Sequence, residues 1–460
     1  MANNIDITSP ASLGTAKISK LLSHYAFPAI ISMITASVYN IVDSIFIGHG
    51  VGPLAIAGLA ITFPLMNLSA AFGTLVGVGG SSLMSIRLGE HDTESTHKIL
   101  SNVVILNFIT GLIFAIVCLT FIDKILMFFG ASPDTIGFAR EYMVIILIGN
   151  IITHEYYGLN AMLRSTGYPR KSMSLTLIAL GINSVLDPLF IFVFKMGIAG
   201  AAIATVIAQV IGFGLEMSHF LNHKSYVYFT KESFHYNGTL AKKIIGIGMA
   251  PFLMNICSSI IVILINVSLR THGGDLAIAA YGIVNRLGMI FILIVFGVTQ
   301  GMQPIVGYNY GAKYYDRLKT ILRLGMILST LIMVFGFLIF LLFPRAMTMM
   351  FTVDETLIKE TVRGLVVTNM MFPFVAPSIV ISSFFQSIGK SGKAIILSLT
   401  RQLLFLIPLL LILPNMLASM GYGTMGVWLS IPISDFVAFL VSVVLLRKQM
   451  QQLRAEKAFV

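Results

Sequence analysis

Charge is scarce in this chain. Only 11% of its 460 residues are Asp, Glu, Lys or Arg, against about a quarter in soluble domains, and the deficit runs along the whole length. No polar stretch is long enough to build a soluble catalytic domain carried on a membrane anchor. Cysteine is nearly missing too. Cys118 and Cys257 both fall in apolar segments and read as small buried hydrophobes, which excludes a disulfide-rich secreted module. CxxC, HExxH, phosphate-binding Walker and GxSxG motifs are all absent, so neither thiol or metal chemistry nor ATP-driven pumping is expected of the chain itself. Residues 1–20 show no charged segment leading into a short apolar core, so no cleavable signal peptide is expected. With 57% hydrophobic residues and a mean hydropathy of +0.91, a polytopic membrane protein remains.

A helix needs about 20 apolar residues to cross the hydrocarbon. Breaks at charges and Gly/Pro clusters predict twelve spans near 22–48, 54–86, 100–122, 139–163, 171–195, 198–222, 242–270, 276–307, 319–343, 360–386, 393–413 and 424–447. An even count puts both termini on one side. On that side fall 22 of the 30 Lys and Arg, Arg401 among them. Lys124, Arg140, Lys195, Arg270, Arg345, Lys359 and Arg363 fall on the other, and Arg286 lies within a span. Basic residues mark the cytoplasmic side, so both termini are expected in the cytoplasm. The net charge of +11 is then an orientation signal, and no nucleic-acid partner is expected.

The chain is two copies of one plan. His49-Gly50 followed by Leu54-Ala55-Ile56-Ala57 returns as His272-Gly273 followed by Leu276-Ala277-Ile278-Ala279, and Pro28, Gly89 and Arg164 recur as Pro251, Gly311 and Gln386, at spacings near 222 residues. Six spans per copy means that both copies enter from the same side. The expected fold is an all-α polytopic membrane protein, with twelve transmembrane helices in two six-helix lobes related by pseudo-twofold symmetry about the membrane normal. Its parts are an N-terminal segment (1–21), an N-lobe (22–222), a linker (223–241), a C-lobe (242–447) and a tail (448–460). Two such lobes around a cavity suit a transporter, with the lipid bilayer as surroundings.

Ionisable groups inside a membrane are costly and therefore candidates for function. Asp43 in span 1 and Asp187 in span 5 are expected at similar depth in the outer half of the N-lobe. Tyr39 and Asn40 lie one turn before Asp43, and Asn183 one turn before Asp187; Thr205 in span 6 reaches the same depth. Such a set could hold Na⁺ through oxygen ligands at Asp43, Asp187, Asn183 and Thr205, or two close carboxylates could share a proton. Pro28 is a candidate helix bend in the span that carries Asp43. Asn40, Glu155, Arg286 and Asp435 are candidate cavity or gate residues, with Arg286 and Asp435 as a potential pair. Glu216 is expected to reach the membrane interface.

Together these residues resemble the multidrug and toxic compound extrusion (MATE) family, over about residues 20–447. The likeness is carried by Pro28 with Tyr39-Asn40-Ile41-Val42-Asp43, by GVGGSSLMSIRLGE (77–90), LRSTGYPRKS (163–172), Asn183 with Asp187-Pro188-Leu189-Phe190, GIAGAAIAT (197–205) and QGMQPIVGYNYGAK (300–313). The resemblance implies a proton- or cation-coupled antiporter that exports organic, often cationic, compounds from a bacterial inner membrane. It needs no cofactor besides H⁺ or Na⁺ as coupling ion, and is expected as a monomer and not as an enzyme. The branch is similar to the DinF-like one with its MepA-type drug pumps, in which the motif acids correspond to Asp43 and Asp187, with Tyr39, Asn183 and Thr205 in the same network. The NorM-like branch carries acids in spans 7 and 10, whereas 242–270 and 364–386 contain none here. Two other readings stand beside transport of drugs: a lipid-linked oligosaccharide flippase of the same superfamily, and a channel or receptor without coupled transport.

Overall fold

The computed structural model describes residues 10–458, so residues 1–9 of the expected N-terminal segment and 459–460 of the tail lie outside the described residues. Among the described residues there is no strand. After a single turn, α1 (Ser12–Thr15), the N-terminal half consists of α2 (Ile18–Gly50), α3 (Pro53–Gly89), α4 (Thr93–Thr120), α5 (Ile122–Phe128), α6 (Ile136–Ile148), α7 (Asn150–Ser165), α8 (Pro169–Pro188) and α9 (Gly197–Leu221). The C-terminal half consists of α10 (Gly238–Gly311), α11 (Tyr315–Leu342), α12 (Pro344–Met349), α13 (Glu355–Asn369), α14 (Phe372–Ser387), α15 (Ser391–Leu399), α16 (Ile407–Ala418) and α17 (Gly423–Ala458). Two π-helical stretches, Leu189–Val193 and Thr400–Leu406, continue α8 and α15.

Nine of these helices, some taken with their π-helical continuations, are long and apolar enough to cross a membrane. Two spans expected as single rods are broken instead. The fourth bends by 56° between α6 and α7, and the tenth by 49° between α13 and α14. Gly149 separates the first pair, and Pro373 opens α14 without an amide hydrogen to extend the helix before it. Counting each bent pair once gives eleven. The 74 residues of α10 would measure about 110 Å at 1.5 Å per residue, several times the hydrocarbon thickness. Gly274 divides them, with φ 67° and ψ −162°, a backbone shape that only glycine adopts without strain. The total is then twelve spans in two halves joined by residues 222–237, which carry no helix.

Packing divides this bundle into three apolar clusters. One is confined to the N-lobe and includes Ile47, Leu65, Phe114, Tyr142 and Ile191. A second is confined to the C-lobe and includes Ile265, Tyr281, Phe340 and Trp428. The third is shared, with Tyr25, Val76 and Met84 from one lobe against Ile244, Met302 and Ile305 from the other. The shared cluster lies at the end of the bundle where both termini sit. Here Leu13 and Ala16 accept from the Arg317 guanidinium, at 3.1 and 2.7 Å, and Lys393 reaches Gln449 at 2.8 Å. The lobes thus join at the terminal side and stand apart at the other.

The join is made by backbone. A β-carbon on Gly248 would fall 1.7 Å from the Leu75 carbonyl oxygen, and one on Gly79 would fall 2.0 Å from that of Ile244. Gly89 meets the Tyr308 carbonyl in the same way that Gly311 meets the Ile86 carbonyl, at 2.0 and 2.1 Å. Gly89 and Gly311, like Ile86 and Tyr308, are 222 residues apart. These reciprocal contacts are what a twofold axis between the lobes requires. Gly297 and Gly301 likewise press on Ile30 and Ala26 of α2.

A methyl group at Gly248 cannot be relieved by a side-chain rotation, because backbone opposes it. Gly248→Ala should therefore force the terminal-side contact apart. Spin labels on the exposed positions Glu94 and Lys313, one in each lobe, should show a longer and broader distance distribution in this variant than in the parent protein.

Candidate functional site

Asp43 lies seven residues before the outer end of α2, and Asp187 six before the end of its π-helical extension; Thr205 is eight residues into α9 and Tyr142 six into α6. At 1.5 Å per residue these are depths of about 9–12 Å from one face of the bundle. The common depth expected from sequence is therefore present, and the side chains meet. Asp43 is 7% exposed and Asp187 fully buried, and their carboxyl groups lie against each other. The Tyr39 hydroxyl donates to Asp187 Oδ2 at 3.0 Å, and Asn183 Nδ2 donates to Asp187 Oδ1 at 3.1 Å. The same amide reaches Thr205 Oγ1 at 3.4 Å.

Local chemistry aims these groups. Four-residue spacing puts Tyr39 with Asp43, and Asn183 with Asp187, on single helix faces. Pro188 follows Asp187 and cannot donate to the Ser184 carbonyl, and α8 gives way there to the wider π-helical turns. Two carboxylate oxygens only accept hydrogen bonds, so a pair placed side by side repels unless a proton or a cation lies between them. Asp43 Oδ1 is buried without a hydrogen-bond partner. A buried polar atom in that state is where an incoming proton or cation would gain most.

Tyr142 belongs to this site and was not read from the sequence. It is 2% exposed and lies in the neighbourhood of Thr205 and both acids. Only its depth could have pointed to it. Asn40 turns outward and is exposed. Pro28 is buried fifteen residues before Asp43, beside Ala26 and Ile30, which meet the C-lobe glycines. Helix α2 continues through Pro28 from Ile18 to Gly50.

The other acids sit elsewhere. Glu155 is buried (4% exposed), with Oε2 unpartnered. Its neighbours on α7 serve other contacts: His154 meets Ser69 at 3.3 Å, and Thr153 donates to Gln209 at 2.5 Å. Glu216 does not reach an interface. It is fully buried and accepts from Asn160 at 2.8 Å, while Arg164 donates to that same Asn160 at 2.5 Å.

The expected pairing of Arg286 with Asp435 is not formed. Asp435 is 4% exposed and lies 2.6 Å from Arg401. Arg401 was counted with the basic loops, but it stands in the π-helical stretch of span 11, where its charge within 393–413 was the available signal. Gln402 beside it donates to Ser258 at 2.9 Å. Arg286 is exposed, with no ion pair among the described residues.

The MatE family model matches residues 28–189 and 247–412, one block in each lobe. The multidrug export protein MepA of Staphylococcus haemolyticus is 26% identical over 450 residues, covering 96% of each chain. A solved structure described as MATE in the bent conformation superposes with a TM-score of 0.91 at 25% identity, covering 98% of this chain and 99% of that one. One described as the outward-facing conformation of a multidrug resistance MATE family transporter of the MOP superfamily gives 0.90 at 25% identity, covering 97% and 99%.

Removing one partner of a buried ion pair strands the other charge, whereas replacing both with apolar groups does not. Arg401→Met alone should lower stability by roughly 3 kcal/mol, and Arg401→Met with Asp435→Leu should recover most of the loss. Thermal unfolding of the detergent-solubilised protein, followed for the single and double variants, checks the cycle.

Proposed function

The chain belongs to the MatE family, so it is a multi-pass membrane transporter and not an enzyme, and we propose that it is a multidrug efflux antiporter driven by protons through Asp43 and Asp187. The observation that carries this reading is the acid pair. Two carboxyl groups touch in the interior of the N-lobe, and no Lys or Arg pairs with either among the described residues. A structural staple of that composition would be expensive, whereas a proton carrier needs a site whose charge can be cancelled and restored. The relatives named as multidrug exporters support organic compounds as cargo.

The lobes meet at the terminal side and part at the other, which gives the cycle its starting state. The cleft opens away from the termini, and the 22-to-7 basic asymmetry argues that the terminal side is cytoplasmic. In a bacterial inner membrane this is the outward-open state. Protons arriving from outside neutralise Asp43 and Asp187 and weaken their hold on Tyr39 and Asn183. Helix α2 then shifts against α8 and α9, with Pro28 as its weak point, and cargo leaves outward. The glycine seam then parts, and the lobes rock to face the cytoplasm, load cargo and release the protons. No cofactor takes part, and one chain is sufficient.

Na⁺ coupling is the second reading, favoured by the unpartnered Asp43 Oδ1 and the nearby Thr205 hydroxyl. Against it, Asn183 turns its donor nitrogen toward Asp187 and Thr205, where a Na⁺ site needs oxygens. The basic asymmetry gives no support to a flippase, and a channel would not need an uncompensated acid pair.

In proteoliposomes with an imposed gradient, ethidium uptake should follow a pH difference and not a Na⁺ difference. Asp43→Asn and Asp187→Asn should each cut that uptake to below a tenth of the parent rate at equal protein level. Uptake that survives both substitutions removes the acid pair from the mechanism, and uptake driven by Na⁺ alone selects the second reading.

A further inference from the structure

Arg286 has no role in the scheme above, and its position is unusual. It stands twelve residues beyond Gly274, about 18 Å into a hydrocarbon layer of about 30 Å. A guanidinium at that depth is costly to face toward lipid, and the exposed Arg286 side chain is expected to turn to the gap between the lobes. Helix phase agrees. Gly297 is eleven residues on, three turns to within about 20°, and Gly297 packs on Ile30 of the opposite lobe. Arg286 therefore points at the N-lobe from the part of the helix where the lobes have separated. Between the two, Ile290 is 52% exposed; across the gap Ile34 and Ile41 of α2 are 40% and 61% exposed. The cleft thus presents apolar surface around one mid-depth cation.

That cation has no carboxylate of its own. Asp435 is taken by Arg401, and Arg286 forms no ion pair among the described residues. Asp43 and Asp187 are buried within the N-lobe and bound to each other. An unpaired guanidinium in an apolar cleft suits one ligand chemistry above others, a planar anion held by paired N–H donors.

From this we propose that Arg286 is an anion subsite of the inter-lobe cleft, which selects amphiphilic cargo bearing a carboxylate, such as zwitterionic aromatic compounds. The inference rests on the transport reading and names a cargo class for the same cleft. The carboxylate of the cargo pairs with Arg286 while its aromatic body lies against Ile34, Ile41 and Ile290. A purely cationic compound would meet only the apolar walls.

A matched pair of dyes tests this. Rhodamine 110 carries a free carboxylate, and rhodamine 123 is its methyl ester on the same ring system. Equilibrium binding of each to purified full-length protein in detergent, read by fluorescence polarisation, gives an acid-to-ester affinity ratio. The parent protein should prefer the acid, Arg286→Gln should lower the ratio about tenfold, and Arg286→Lys should keep part of the preference. An acid bound no tighter than its ester, no binding of either dye, or a ratio unchanged in Arg286→Gln overturns the assignment. If Arg286→Gln fails to fold, the parent and Arg286→Lys ratios decide it. Uptake in proteoliposomes reports separately: parent protein that binds the acid preferentially but moves neither dye under a proton or Na⁺ gradient counts against the transport reading and leaves the subsite standing.

Discussion

The backbone contact between the lobes at the terminal side is the constraint on which the rest of the structure depends. Glycine at positions 79, 89, 248 and 311 brings helix axes closer than any side chain would allow, and close helix approach through small residues is the main attraction between helices where lipid offers no hydrophobic drive. Because the seam occupies one end only, the far ends of the lobes separate. That separation uncovers the Arg286 face of α10, leaves each lobe with an outer apolar cluster of its own, and puts the acid pair near the open side of the N-lobe.

Within the two lobes, buried charge is handled in opposite ways. The C-lobe holds Asp435 with a tethered cation, Arg401, fixed in the next span. The N-lobe sets two carboxyl groups against each other and gives them only neutral donors, Tyr39 and Asn183. The first arrangement carries its own counter-charge; the second has no Lys or Arg paired with it among the described residues. Duplication supplied two similar scaffolds, and the lobes differ in whether a buried acid has a cation beside it. The polar knot of Asn160, Arg164 and Glu216 lies deeper in the N-lobe, toward the terminal side, and has its own cation.

Much of this was legible in the residues. Hydropathy and the recurrence near 222 residues marked the twelve spans and two lobes, because membrane helices must be long and apolar whatever they pack against. Depth along the spans brought Asp43, Asp187, Asn183 and Thr205 together, since rise per residue converts position into height. Lateral neighbours were another matter. Asp435 was set beside Arg286 when Arg401 was closer, because height alone does not say which helix faces which. The breaks at Gly149 and Met370–Met371 were missed because apolar composition continues across them. Tyr142 was overlooked because one tyrosine among fifteen carries no mark of the company it keeps.

The reciprocal glycine contacts bear on how the molecule can move at all. A joint built from side chains can loosen by degrees, one rotamer at a time, and passes through many half-open forms. A joint built from main chain has no rotamers to spend. It is either seated or unseated, and its two halves let go together because the twofold axis makes them equivalent. Such a hinge behaves as a latch, and a latch keeps both doors of a passage from standing ajar at once.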